Sequence, residues 1–306
     1  MRRIAAAIAL LLAATPAAAQ QDYSKVEIKV ERVAPGVAVL FGAGGNIGVS
    51  YGEDGNVIID DQFAPLAPKI IAAVKSLHPD PIKFLINTHW HGDHTGGNVA
   101  FGEAGAIIVA HDNVRRRLSA DTFFKTMNEQ IKATPKAGLP VVTFAKGVTI
   151  HLNGDDLQVT HVDNAHTDGD SLVYWSSANV LHMGDTFFFK ATYPFIDRES
   201  GGSIDGMIAA AKTGLGIVKP GGKVIPGHGP VATREDLQAY HDMLADIRAK
   251  VAAGIRAGRT KAQVIASRPT AAYEGKVASN GFITPDRFVE GTYDELKPKL
   301  AGKARR

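Results

Sequence analysis

His89-Trp90-His91-Gly92-Asp93-His94 is the stretch that decides the reading of this chain. It sets three imidazoles and a carboxylate side by side, just after the apolar run Ile82–Ile86 and the polar step Asn87-Thr88. A helix-borne zinc motif such as H-E-x-x-H would place two histidines one turn apart. Here glycines at 92, 96 and 97 instead permit the sharp backbone turns of a loop at a strand's end. Such a loop aims alternate side chains in two directions. His89 and His91 can then hold one metal while Asp93 and His94 hold a second. Imidazole nitrogen at about 2.0–2.1 Å and carboxylate oxygen at a similar distance suit zinc. A plain surface loop has no use for rings this dense, because neighbouring imidazoles suppress one another's protonation.

Two metals need more donors, and three further apolar runs deliver candidates. Leu157–His161 leads to Asn164-Ala165-His166-Thr167-Asp168-Gly169-Asp170. Val180–Met183 leads to Gly184-Asp185-Thr186, and Lys223–Ile225 leads to Pro226-Gly227-His228-Gly229-Pro230. His166, Asp185 and His228 stand out because each sits where a strand gives way to a tight, glycine-bearing loop. His78, His111, His151, His161, His182 and His241 are assigned structural roles. The chain has no cysteine, so a Cys-based zinc site is excluded and any ligand is histidine, aspartate, glutamate or a weaker oxygen donor.

Outward from these motifs, the chain reads as strands followed by helices, twice over. Val26–Val33, Gly36–Phe41, Ile47–Tyr51 and Asn56–Asp60 read as strands separated by glycine-rich turns, and Pro65–Leu77 has helical periodicity. Ala106–Ala110 reads as a strand, followed by helical segments near Asn113–Leu118 and over Thr122–Ile131. In the second half, Val148–Leu152, Leu157–His161, Ser171–Trp175, Val180–Met183 and Lys223–Ile225 read as strands. Ile204–Val218, Arg234–Ala257 and Asp286–Leu300 read as helices. That order predicts two packed sheets with helices on their outer faces.

The 306 residues are 45% hydrophobic and 21% charged, a globular composition. A net charge of +3 argues for neither nucleic acid nor an anionic membrane as partner. The first nineteen residues read as a secretory signal: Arg2-Arg3, the apolar stretch Ile4–Ala14, then Pro16 and Ala17-Ala18-Ala19 before Gln20. The stretch is shorter than the ~20 residues of a membrane span. Cleavage after Ala19, release to the periplasm or exterior, and no stable membrane insertion are therefore expected. Losing Arg2 and Arg3 takes the formal charge from +3 to +1.

These motifs resemble, in their order, those of the metallo-β-lactamase-fold hydrolase superfamily: a strand ending in Asp60, then His89-x-His91-x-Asp93-His94, His166, Asp185 and Gly227-His228-Gly229. The resemblance implies an α/β fold, a four-layer αββα sandwich with the metals at one edge. Residues 20–306 would form this catalytic domain with a helical C-terminal extension. It implies that His89, His91 and His166 bind one metal, that Asp93, His94 and His228 bind the other, that Asp185 bridges both, and that Asp60 orients the ligand loop. True β-lactamases of the superfamily usually carry cysteine or serine at the position of Asp185. A bridging aspartate looks more like glyoxalase II, lactonases, thioesterases and the general hydrolases.

The expected function is hydrolysis of an ester, thioester, lactone or β-lactam by hydroxide that a pair of Zn²⁺ ions generates, with iron or manganese as alternative metals. Asp93 would be both ligand and the group that orients the water or takes its proton. Two other functions fit the same scaffold: a mononuclear iron enzyme like the sulfur dioxygenases, and an inactive binding protein. The partner is a small-molecule substrate, and neither its identity nor the oligomeric state is legible. Gly42–Ile47 reads as a hairpin tip flanking the site. Trp90, Phe187-Phe188-Phe189, Tyr193 and Phe195 read equally as core or as pocket wall, Lys190 as solvated or as a carboxylate binder, and Arg115-Arg116-Arg117 as an exposed helix end.

Overall fold

Alternating apolar runs near the start of the chain pair into antiparallel strands: β1 (Lys29–Ala34), β2 (Val37–Phe41), β3 (Ile47–Ser50) and β4 (Asn56–Ile59). The computed structural model describes residues 22–278 and 281–303, so the signal expected over residues 1–19 lies outside the described residues. Helix α1 (Ala67–Leu77) buries Ile70 and Val74 and returns the chain to β5 (Ile82–Asn87), parallel to β4. A one-turn helix α2 (Gly92–Thr95) and α3 (Asn98–Glu103) lead to β6 (Ile107–His111) and α4 (Asp112–Leu118). A hairpin of β7 (Thr122–Phe124) and β8 (Glu129–Ile131) follows, and β9 (Val142–Phe144) completes a seven-stranded sheet in the order β1-β2-β3-β4-β5-β6-β9.

The second sheet takes β10 (Gly147–Leu152), β11 (Asp155–His161), β12 (Ser171–Trp175), β13 (Val180–His182), β14 (Lys223–Ile225) and β15 (Ala232–Thr233) in sequence order. Helix α5 (Ile204–Ile217) crosses from β13 to its parallel neighbour β14. Then come α6 (Arg234–Arg256), opened by a capping box of Thr233 and Asp236, α7 (Lys261–Ala266) and α8 (Pro285–Lys303).

Side chains alternate across a strand, and here both directions find apolar partners. Val37, Val39, Val57 and Ile59 meet Leu157, Val159, Val173 and Trp175 between the sheets. Their neighbours Ala38, Leu40 and Ile58 turn outward onto Ile70, Val74 and Phe101 of α1 and α3. On the far side, Leu172, Leu181 and Val224 pack with Met207, Leu244 and Leu296 of α5, α6 and α8. The result is helix, sheet, sheet, helix, the αββα sandwich expected from the sequence. Two buried faces per sheet account for strands that read as unbroken apolar runs.

Two local expectations fail, and a third holds with an addition. Thr122–Ile131 is not a helix but the β7–β8 hairpin, with Phe124 opposite Glu129. Thr122-Phe123-Phe124 is β-branched and aromatic, and Asn128 takes φ 52°, which stops a helix and turns the chain back. The ligand run is not wholly loop, since Asp93 and His94 sit on the single turn α2 with His91 at its N-cap position. The Arg115–Arg117 run ends α4 as expected, with Arg115 and Arg116 exposed, but it is also paired. Arg117 grips Asp168 with Nε at 2.7 Å and a second guanidinium nitrogen at 2.9 Å, and Arg116 adds a contact at 3.1 Å. Among the described residues no helix is long and apolar enough to cross a membrane.

Candidate metal centre

The loops after β5, β11, β13 and β14 converge at one edge of the sandwich. His91 Nδ1 and His166 Nε2 face each other at 2.9 Å, and His94 Nε2 and His228 Nε2 at 3.3 Å. His89, His91 and His166 form one group of possible metal donors, all buried, and Asp93, His94 and His228 form another. Asp185 lies between them: Oδ2 is 3.7 Å from His166 Nε2, 4.0 Å from His89 Nε2 and 3.4 Å from His228 Nε2, and Oδ1 is 3.1 Å from His94 Nε2. All seven residues singled out in the sequence therefore meet at one place.

The surroundings fix which nitrogen of each ring faces inward. Asp60 is fully buried at φ 64°, and its carboxylate accepts from Thr88 N and Thr88 Oγ1 at 2.7 Å each, and from His94 Nδ1 at 2.7 Å. The Thr88 hydroxyl proton is thus used, so its oxygen accepts from His89 Nδ1 at 3.0 Å. His166 Nδ1 donates to the Phe195 carbonyl at 2.7 Å, and His91 Nε2 donates to Asp197 Oδ2 at 3.0 Å. The outward nitrogens of His89, His91, His94 and His166 are thus spoken for, which turns the other nitrogen of each ring inward.

Glycines let backbone approach these rings. A Cβ on Gly45 would overlap the His94 ring, and one on Gly227 would overlap Asp185 Oδ1. The β2–β3 loop uses that closeness. Gly45 N donates to Asp93 O at 3.0 Å, and Asn46 Nδ2 donates to the carbonyls of Pro226 and Gly229 at 2.8 Å each. Asn46 O accepts from His182 Nε2 at 3.0 Å, and His182 Nδ1 accepts from Gly184 N at 3.1 Å. The expected hairpin tip therefore does flank the site and clamps the loops of Asp185 and His228.

Electrostatically the two groups differ. Burial, reinforced by the neighbouring His94 and His166 rings, presses His89 well below the usual imidazole range. Burial and His91 press His166 down to about 4. Burial also works against charge on His228, but the carboxylates of Asp185 and Asp93 outweigh it and hold the ring up at about 9. His94 is raised in the same way, burial being outweighed by Asp185, Asp93 and Asp60. Asp93, which burial would push up, is held down to about 2 by His94 and His228. His89 and His166 are thus kept neutral, whereas Asp93, His94 and His228 form a set of charged partners.

The donors fit a metal. His89 Nε2 and Asp185 Oδ1 are buried without a hydrogen-bond partner, and facing imidazole lone pairs at 2.9 Å repel unless a cation or proton lies between them. The opening is on the Asp93 side, where the side chains of Asp93 and His228 are 32% and 27% exposed while His89, His94 and His166 are buried.

The family model described as the metallo-beta-lactamase superfamily matches residues 41–228. The chain belongs to that superfamily. It is mostly a superfamily of metal-dependent hydrolases, and the matched span holds every donor described above. Hydroxyacylglutathione hydrolase from Anaeromyxobacter dehalogenans (strain 2CP-C) is 26% identical over 67% of this chain and 76% of its own length. The 2,4-dinitroanisole O-demethylase subunit alpha from Nocardioides sp. (strain JS1661) is 25% identical over 47% of this chain, and the match spans 42% of that relative. Among solved structures, the metallo-beta-lactamase from Pontibacter korlensis superposes with a TM-score of 0.59 at 20% identity, over 72% of this chain and 100% of that one. That likeness is one of fold.

Some partners of the site were not read from the sequence. Thr88 adjoins His89, but Asn46, Asp170 and Asp197 carry no local pattern. Asp170 Oδ2 accepts from His166 N at 2.7 Å and Thr167 N at 2.8 Å, and Asp197 also accepts from Ser200 N at 3.0 Å. Of the aromatics left open, Phe187, Phe188, Tyr193 and Trp90 are buried. Phe188 nevertheless stacks on His228 at 5.6 Å, and Trp90 Nε1 donates to Ser200 Oγ at 3.1 Å.

Proposed function

We propose that this protein is an exported, binuclear zinc hydrolase that cleaves an ester, thioester, lactone or β-lactam. The observation that carries the reading is Asp185, a buried carboxylate within 4.0 Å of donors from both groups. His89, His91 and His166 would hold one ion, Asp93, His94 and His228 the other, and Asp185 would touch both. Such a pair supplies positive charge that polarises a carbonyl and makes bound water acidic near neutral pH.

The chain's own groups do the rest. Asp93, ionised and partly exposed, stands at the opening beside His228, with His228 Nε2 at 3.2 Å from its Oδ2. From there it can orient the attacking water and hold its proton until the leaving group takes it. The scissile bond is the one between acyl carbon and oxygen, sulfur or nitrogen, and water supplies the oxygen of the new carboxylate. The hydroxyacylglutathione hydrolase among the relatives supports hydrolysis.

The test is a substrate panel of nitrophenyl esters, thioesters, acyl-homoserine lactones and nitrocefin on zinc-loaded protein, with metal counted by elemental analysis. Two metals per chain are expected. Asp93→Ala should lower kcat by about 10²–10⁴-fold with unchanged circular dichroism. A single iron per chain with no hydrolysis would overturn the reading in favour of the mononuclear enzyme. Mass spectrometry of exported protein should find Gln20 at the N-terminus.

A further inference from the structure

One side of the metal centre is walled by aromatic rings that no ligand role accounts for. Phe124 on β7 lies 5.8 Å from the His91 ring, nearly parallel to it, and Phe195 lies 5.8 Å from His91 and 5.7 Å from His166. The two phenyl rings are 6.3 Å apart, and Phe282 meets Phe195 edge-on at 5.6 Å. Around this wall stand apolar side chains that water touches: Phe123 is 51% exposed, Met127 39% and Phe282 52%. Phe282 touches Phe195, and Phe123 and Met127 belong to the hairpin segment that carries Phe124, so wet apolar surface borders this wall.

Phe195 has a second face. It lines a half-open cavity of about 240 Å³ together with Ile196, Ile283 and Phe288, with Thr126 of the hairpin segment and Gly291 of α8 also in its lining. Ile283 and Phe288 are buried and give the cavity an apolar side; Thr292 and Glu295 also line it, and the Glu295 carboxylate is engaged by Ile204 N at 2.9 Å and Lys299 at 2.7 Å. The outer end carries exposed charges of both signs, Arg198 and Arg287 against Glu290 and Asp294, and so selects no single ionic group. The volume is below that of a pocket for a whole drug-sized ligand, about 300–1,000 Å³, and suits one arm of a substrate. The wall is pre-formed. Glu199 accepts from Lys125 N at 3.1 Å and Thr126 N at 2.8 Å, which ties the hairpin to the turn after Asp197.

We propose that this cavity, one aromatic ring removed from His91 and His166, is the subsite for an unbranched apolar acyl arm of the substrate. The inference rests on the hydrolase reading and deepens it to carboxylic derivatives with a medium-length alkyl chain. The reacting carbonyl would sit at Asp93 and His228, and the chain would run past Phe195 into the cavity.

The experiment measures kcat/KM for acetyl, butyryl, hexanoyl and octanoyl nitrophenyl esters on the metal-loaded protein. Binding of the matching alkanoates is followed by calorimetry. Both should improve roughly two- to fourfold per added methylene until the cavity fills. Gly291→Leu fills the cavity from a helix, where leucine is well tolerated, and the atoms nearest its Cβ belong to the flexible end of Arg198, the first at 3.5 Å. It should cut the octanoyl-to-acetyl ratio tenfold or more. Ile283→Ala, which enlarges the floor, should move the optimum to longer chains. A flat or falling series, or an unchanged gradient in Gly291→Leu, overturns the subsite even if esters are hydrolysed. Chain-dependent alkanoate binding that Gly291→Leu removes, with no ester turned over, keeps the subsite and sinks the hydrolase reading instead.

Discussion

At the residue scale, the site is organised by what each imidazole does with its outer nitrogen. Asp60, Thr88, Phe195 O and Asp197 accept from the outer nitrogens of His94, His89, His166 and His91, so the other nitrogen of each of these rings is aimed inward. The two groups then compete with protons differently. His228, held up at about 9, carries a proton at neutral pH that must leave before a metal binds beside Asp93. Because the raised value favours the protonated ring, each pH unit below about 9 should cost at least about tenfold in apparent affinity there, and more where His94 is protonated as well. His166, pressed down to about 4, imposes no such cost near neutrality. On acidification from pH 8 to pH 5 at fixed free zinc, the Asp93–His94–His228 metal should therefore leave first. Elemental analysis reads this directly, and Asp93→Ala should retain only the acid-resistant equivalent. Loss of both metals at one pH would contradict it. The candidate donors themselves were legible because each combines a metal-binding side chain with a strand end and glycine. Asp197 was not, since a lone carboxylate among aromatics becomes meaningful only when folding brings it to His91.

At the element scale, tight loops carry the chemistry and regular structure carries the loops. Strands with both faces buried were legible as apolar runs, and α6 announced itself by periodicity and a capping box. Short elements were not: β9 and β15 have three and two residues, too few to show a period, and their pairing is decided by distant strands. The β7–β8 hairpin was misread because β-propensity and one left-handed asparagine outweighed a weak helical pattern. The clamp of Asn46 was equally invisible, since its partners lie 180 and 183 residues away. Its role can be measured. Asn46→Ala removes both donors and leaves the carbonyls of Pro226 and Gly229 short of partners, a loss of about 1–3 kcal/mol. The His228 loop should loosen, lowering Tm by several degrees and weakening the second metal roughly 10–100-fold while the first is little changed. A thermal melt with a zinc titration checks both. Unchanged values would mean that the loop holds its shape without the clamp.

At the scale of the whole molecule, the candidate metal centre would also be a cross-link. His89, His91, Asp93 and His94 follow strands of the first sheet, whereas His166, Asp185 and His228 follow strands of the second. Each proposed ion would thus join the two halves, and Asp185 would reach both ions from the second. The order of the strands in the sequence foretold two sheets, but not that their ligand loops share an edge, which depends on how the sheets face each other. That joining has a thermodynamic consequence. An ion that binds only the folded chain stabilises it by RT ln(1 + [L]/Kd), about 4 kcal/mol at a thousandfold excess over Kd. At roughly 2–4 °C per kcal/mol for a chain near this size, chelation should lower Tm by about 8–16 °C per site. The fold should survive, because the three large apolar clusters between and outside the sheets contain none of the donors. Stripped protein should therefore keep its far-ultraviolet spectrum at 25 °C and regain its melting point with zinc but not with magnesium, which disfavours nitrogen ligands. Identical melting before and after chelation would mean that the donors of the two halves are held by protein contacts alone and that the centre contributes nothing to joining them.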